Sequence, residues 1–181
     1  MGTRPEAIKM APVIAALRDA DDFEPVVIST GQHREMLRQV VDLFELNVDH
    51  DLDVMRDNQT LAGLTARLVE SIDCVLGEVA PDVVLVQGDT TTVLSGALAS
   101  YYRDIPVGHV EAGLRTGNMR SPFPEEANRT IIAPIVSMHF APTDRARRSL
   151  LDERVPKDRI TVTGNTVIDA LQMEVARQGQ P

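Results

Sequence analysis

Tryptophan is absent from these 181 residues, aromatic residues make up 3% of them, and cysteine occurs once. Each shortage excludes something. A single cysteine, Cys74, leaves no intrachain disulfide to form and fits a reducing compartment. It sits in the periodic apolar stretch "LVESIDCVLGEV", so it is expected to pack in a core rather than to act as a nucleophile. No apolar run approaches the ~20 residues that span a bilayer, and no charged-then-apolar leader opens the sequence. A cytoplasmic protein with no membrane partner is therefore expected. Positive charge is also in short supply: 18 Lys and Arg stand against 27 Asp and Glu, for a formal net charge of -9. That balance argues against a nucleic-acid partner, because displacing counterions from phosphates needs a basic surface. Neither a GxGxxG fingerprint nor a P-loop is present, and no His, Cys, Asp or Glu cluster has metal-ligand spacing. Neither a metal nor a cofactor is expected.

What is present is aliphatic. With 43% hydrophobic and 25% charged residues, the composition is that of a globular domain whose core is Val, Leu, Ile and Ala. A chain of this length buries roughly 70% of the surface its unfolded form exposes, enough for a full core.

Two periodicities alternate along the chain. Ile8, Ala11, Ile14 and Leu17 recur at helical spacing between Pro5 and Arg18, and Pro5 suits a first helical turn. "EPVVIST" (24–30) reads as a short buried strand and "REMLRQVVDLFEL" as a helix. Leu61, Leu64, Leu68, Ile72, Val75 and Val79 form a long helical stripe that Pro81 ends. The strand "DVVLVQGD", the helix "TTVLSGALASYYR", the strand "IPVGHVEAG" and further units of the same kind follow. Alternation of this kind specifies an α/β fold, a doubly wound parallel sheet with helices on both faces. The stretch 45–59 reads as the longest loop, with room for one short strand. At the start, "MGTRPEAIKMAP" has the form of a loop and helix that normally follow a strand. An inner strand is thus expected ahead of Met1, and its lack would expose unpaired sheet edges.

In such sheets ligands bind beyond the C-terminal ends of the strands, so the polar residues there are the candidates. Asp89 follows "VVLVQG", Glu111 follows "VGHV", and Glu125 opens a helix after "SPFP". Carboxylates at one sheet edge suit acid/base chemistry on a shared substrate. Asp89 is equally suited to capping the helix that begins in "TTT". Glu111 has no local structural reason to be charged. Glu125 and Glu126 suit a helix N-terminus, and Glu125 is spaced i,i+4 from Arg129. Arg4 lies in a glycine-containing loop at a helix start, an arrangement that presents backbone donors to an anion. His33 lies in another loop after a strand, whereas His109 is expected to pack with its ring satisfied.

Taken together, "GTRPEAIKMAP", "TGQHREML", "PDVVLVQGDTTT", "IPVGHVEAGLRTG", "SPFPEEANR" and "TGNTVIDAL" resemble the non-hydrolysing UDP-N-acetylglucosamine 2-epimerases, in order and with natural spacing over nearly all of the chain. The resemblance implies a Rossmann-like N-terminal domain over 1–165 and the start of an interdomain linker helix over 166–181. The family's fold is similar to the two-domain GT-B glycosyltransferases, and its first strand and second domain have no counterpart in these residues. It implies interconversion of UDP-GlcNAc and UDP-ManNAc for bacterial surface polysaccharides. UDP is eliminated to leave a 2-acetamidoglucal, then added back with the C2 proton returned to the opposite face. Asp89, Glu111 and Glu125 would be the essential carboxylates, and Arg4, Lys9, Arg129 and Arg115 substrate-binding groups. Gln32, His33 and Arg67 would bind a second UDP-GlcNAc as activator, and the assembly would be a homodimer. Two other readings stand beside it: a hydrolysing 2-epimerase that releases UDP and free ManNAc, and a nucleotide-sugar-binding remnant without activity.

Overall fold

Helix and strand alternate in the order α1 (Arg4–Arg18), β1 (Ile28–Ser29), α2 (Arg34–Leu43), β2 (His50–Asp51), α3 (Leu61–Val79), β3 (Val84–Gln87), α4 (Thr91–Tyr102), β4 (Val107–Val110), α5 (Glu125–Ile132), β5 (Met138–Ala141), α6 (Asp144–Asp152), β6 (Ile160–Val162) and α7 (Thr166–Gln178). This computed structural model describes residues 1–31 and 34–179, with the backbone alone for 34–37. Short polar side chains fix four of the helix starts. Thr60, Thr90, Thr143 and Asn165 each accept a backbone N–H from the first turn of α3, α4, α6 and α7. Strand pairing is parallel throughout: β1 lies beside β2, and β3, β4, β5 and β6 form a second sheet in sequential order. The chain is thus α/β with parallel sheets.

It divides into two compact units, Met1–Asp53 with the segment from Asn165 onward, and Val54–Gly164. In the first, α7 packs on α1, and Ala7 and Val40 are buried among Met1, Ile8, Val41 and Phe44. Met1 occupies a strand position beside β1. Its amino group donates to the Ile28 carbonyl at 2.9 Å and its own carbonyl accepts from Thr30 N at 3.0 Å, the bracketing pattern of a parallel ladder. Of "EPVVIST", two residues enter the ladder, because the Val27 amide donates to the Asp49 carboxylate at 2.8 Å instead. The stretch 45–59 does contain a short strand, β2.

The second unit has two buried clusters: Val86, Val93, Ala97, Val107, Ile132 and Val136, and Ala112, Ala133, Ala141, Ala146, Leu150, Val155 and Ile160. Cys74 departs from expectation, for it is exposed. The inward stripe of α3 is Leu64, Leu68, Ile72, Val75 and Leu76. At about 100° per residue, Cys74 lies some 200° around the helix from Ile72 and so faces outward.

Behind β4, Gly113 has φ +87, and a Cβ added there would sit 2.3 Å from the Ala146 carbonyl oxygen. Neither the dihedral nor the backbone of α6 can yield cheaply. Gly113→Ala is expected to lower the urea midpoint by the equivalent of about 2 kcal/mol or more. An unchanged midpoint would show that the loop after β4 relaxes freely.

Candidate active site

Parallel pairing brings two loops to one sheet edge. Gln87 of β3 is in register with Val110 of β4, so Gly88 and Asp89 leave the sheet beside Glu111. The turn is held by Gly88 N donating to the Val110 carbonyl and Ala112 N donating to the Phe140 carbonyl, both at 3.0 Å. Glu111 has φ 68, a left-handed conformation that costs an ordinary residue about 1–2 kcal/mol. Its carboxylate accepts a hydrogen bond from Gln87 Nε2 at 2.7 Å. The capping alternative for Asp89 is resolved by its neighbour: Thr90 caps α4, accepting from Val93 N at 3.4 Å.

The Asp89 side chain is thereby available to Arg129, which reaches it at 2.9 Å from Nη1. Asn128 holds the same loop, donating to the Asp89 carbonyl at 2.9 Å. Arg129 also binds Glu126 through Nε at 2.7 Å and through Nη2. Glu126 is 1% exposed, and its other oxygen accepts from Thr116 N at 3.0 Å and Gly117 N at 2.9 Å. One buried carboxylate therefore ties the loop after β4 to α5 and aims the arginine at Asp89. The i,i+4 pair expected between Glu125 and Arg129 is replaced by this i,i+3 pair. Glu126 shares the buried side of α5 with Arg129, whereas Glu125 Oε2 is buried with no hydrogen-bond partner among the described residues.

Electrostatics distinguish the carboxylates. Burial pushes the Asp89 carboxyl above its ordinary value; Arg129 pulls it back, and Glu125 and Glu111 push it up again. Asp89 is thus within electrostatic range of both Glu125 and Glu111. Burial also works against the charge on Glu126, but Arg129 and the amides of Thr116 and Gly117 outweigh it and hold that carboxyl below the usual range. Burial thus favours the neutral form of Asp89, while Arg129 and the two amides favour the ionised form of Glu126.

A family model described as UDP-N-acetylglucosamine 2-epimerase matches residues 15–180. The chain belongs to this family. It is 60% identical to the UDP-N-acetylglucosamine 2-epimerase of Yersinia pestis over 170 residues, 94% of this chain and 45% of that protein. Its fold matches the crystal structure of the Neisseria meningitidis UDP-GlcNAc 2-epimerase bound to UDP-GlcNAc with a TM-score of 0.95 at 51% identity, over 99% of this chain and 49% of that one. The Methanocaldococcus jannaschii enzyme in complex with UDP-GlcNAc and UDP gives 0.91 at 39% identity, again over 99% of this chain and 49% of that one. The chain spans about half the length of the curated relatives it matches.

Each of the other expected site residues has surroundings of its own. Arg4 is exposed at the start of α1, and Lys9 lies one and a half turns further on, both in the first unit. The backbone donors expected to present an anion site there are occupied, for Glu6 accepts from Thr3 N at 2.9 Å and from Gly2 N. Arg115 forms a two-pronged pair with Glu153, 2.7 Å on each prong, and donates to the Leu114 carbonyl at 2.8 Å. Arg67 donates to the Val54 carbonyl at 3.2 Å and to Gln59. Gln32 and His33 lie outside the described residues. Reading from sequence missed Gln87, Asn128 and Glu126 as organisers of the cluster. The i,i+3 spacing of Glu126 and Arg129 was the available signal, and the adjacent Glu125 obscured it.

Two histidines sit side by side beneath this carboxylate cluster, His109 of β4 in register with His139 of β5. His109 Nε2 lies 2.7 Å from the Gly88 carbonyl, so its ring is satisfied as expected and props the loop that carries Asp89. Both imidazoles titrate near 4 rather than 6.5. Burial dominates in each case; His139 and the nearby arginines add to it for His109, and Arg115 and Arg159 add to it for His139. Folded values below the unfolded one give stability that is complete above 6.5 and drains as pH falls toward 4. Urea midpoints are therefore expected to drop between about pH 7.5 and about pH 5, before most carboxylates titrate. A flat profile over that range would mean the rings accept protons in place.

Proposed function

We propose that this chain carries the proton-transfer face of an enzyme interconverting UDP-GlcNAc and UDP-ManNAc. The observation that carries the reading is the convergence of Glu111 and Glu125 on Asp89, whose carboxyl is raised from its ordinary value by burial first, against the pull of Arg129 and with the push of the two acids. Inverting C2 requires a proton to leave one face of the sugar and return to the other, so two positioned acid/base groups are needed in opposite protonation states. A crowded acidic cluster with one cation supplies that difference, as environments that separate carboxylate pKa values do elsewhere. One carboxylate removes the C2 proton while UDP departs from C1. A protonated neighbour then delivers a proton to the opposite face of the glucal as UDP adds back.

Arg129 is assigned to setting the charge of Asp89. Arg4 and Lys9 are assigned to the departing diphosphate, where cationic donors lower the barrier. Arg115, locked to Glu153, braces the loop after β4 against the end of α6. Gln32, His33 and Arg67 are proposed contacts of a second UDP-GlcNAc acting as activator, in a cytoplasmic homodimer.

The test is exchange at C2. UDP-GlcNAc is incubated in deuterated water with the protein and, in a second arm, with the protein plus the separately expressed second half of the Yersinia pestis relative. Deuterium at C2 together with UDP-ManNAc supports the reading. Free UDP formed in step with turnover would favour a hydrolysing enzyme instead. Nucleotide-sugar binding with no exchange in either arm would leave only the non-catalytic reading.

A further inference from the structure

The parallel sheet of the second unit has a second edge, and that edge carries a concavity. The turn between α5 and β5 and the turn between α6 and β6 both lie ahead of the strands they feed, so they meet at the N-terminal edge of β5 and β6. This is the edge opposite the one from which Asp89 and Glu111 emerge. Between them is a cavity of about 390 Å³, within the usual size range of small-molecule sites.

Its polar lining is unusual. His139 is 1% exposed; neither ring nitrogen makes a well-formed hydrogen bond among the described residues, the Val136 backbone being the polar group that bears weakly on the ring. Buried polar groups are nearly always satisfied, so an orphaned imidazole at a cavity wall calls for an occupant. The ring is neutral at pH 7, with its pKa near 4, and therefore offers one N–H donor and one acceptor. Arg154 and Arg159 also line the cavity, and the structure gives neither guanidinium a hydrogen-bonding or ion-pair partner among the described residues. The acid at the rim, Glu153, is already neutralised by its two-pronged pair with Arg115. Val136, Val155 and Pro156 supply apolar wall. The site thus combines a positive field, a buried imidazole without a well-formed hydrogen bond among the described residues and a hydrophobic surface.

We propose that this cavity binds a small organic anion, with its phosphate or carboxylate head between Arg154, Arg159 and the His139 ring and its apolar body against Val136, Val155 and Pro156. Arginine suits such a head because its fork of donors matches oxyanion geometry. The cavity is too large for a bare phosphate alone, which is why an apolar body is part of the assignment. None of the cavity-lining residues belongs to the carboxylate cluster, so the proposal stands whatever becomes of the proposed epimerase chemistry.

The probe is phenyl phosphate, titrated into the intact protein labelled with ¹³C at histidine, with His139 assigned by His139→Gln. Phenol and inorganic phosphate are run as controls. A saturable shift of the His139 ring resonance is expected, with binding in the millimolar range or tighter and weaker for either control. In Arg154→Gln/Arg159→Gln the affinity should fall roughly tenfold or more. Both positions are exposed, so this double variant keeps the test valid even where His139→Gln fails to fold. A His139 resonance unmoved by phenyl phosphate means that the ring is merely hydrated, and the proposal fails. It fails equally if the double variant binds as well as the parent, or if phenol binds as well as phenyl phosphate.

Discussion

Arg129→Met is expected to cost about 3–5 kcal/mol of folding stability, the range typical of breaking a buried ion pair from one side. The guanidinium is shared between Asp89 and Glu126, and its side chain is 9% exposed. Removing it strands the Glu126 charge, whose burial opposes ionisation and whose remaining support is the amides of Thr116 and Gly117. The magnitude reflects desolvation more than lost attraction, and a second replacement separates the two. Glu126→Gln in the Arg129→Met background removes the stranded charge while keeping an oxygen for the two amides. The double variant should therefore recover part of the loss, which makes the two changes strongly non-additive. Urea melts of the four proteins measure the coupling. A double variant as unstable as the sum of the singles would mean that Glu126 and Arg129 act independently, contrary to the geometry.

Asp89→Asn tests the chemistry rather than the scaffold. If Asp89 transfers a proton, C2 exchange of UDP-GlcNAc should fall roughly a hundred- to ten-thousandfold, the usual contribution of a positioned acid or base. Stability should move the other way. The folded value of Asp89 is raised above 3.8, by burial first. The folded state therefore binds more protons than the unfolded chain in the window from 3.8 up to the raised value, and stability falls as pH climbs through it. At neutral pH the ionised carboxylate is a net liability that Asn removes. Asp89→Asn is expected to unfold at the same or a higher urea concentration at pH 7, with any advantage vanishing below 3.8. A residue that costs stability where it stands is what a functional assignment requires. A variant that is both active and less stable would point to a purely structural Asp89.

The fold was legible because its signals are local. Alternating apolar runs and helical stripes placed helices from Arg4, Arg34, Leu61, Thr91, Glu125, Asp144 and Thr166 near their observed bounds. Departures occurred where a single side chain outcompeted the pattern. The Asp49 carboxylate takes the Val27 amide and shortens the first strand. Cys74 lies in an apolar neighbourhood but on the wrong side of α3 for burial. At the site, Asp89, Glu111 and Glu125 stood out because each breaks an apolar run or opens a helix at a strand's C-terminal end. Glu126, which the cluster depends on, looked like an ordinary helix-start acid beside Glu125, and nothing in the linear order said which of the two would face Arg129.

By itself, then, the sequence determined the α/β alternation, the family, and the strand ends at which acidic side chains stand, because periodicity and motif order are properties of neighbouring residues. Which acid pairs with Arg129, which keeps a buried oxygen without a hydrogen bond among the described residues, which threonine caps α4 and which histidine lines the cavity ahead of β5 were decided only by tertiary structure. Those outcomes depend on distances between segments some 40 residues apart, such as Asp89 and Arg129, and on how much water remains between them. Burial and neighbouring charges move Asp89 and Glu126 in opposite directions, a difference that residue type alone does not carry.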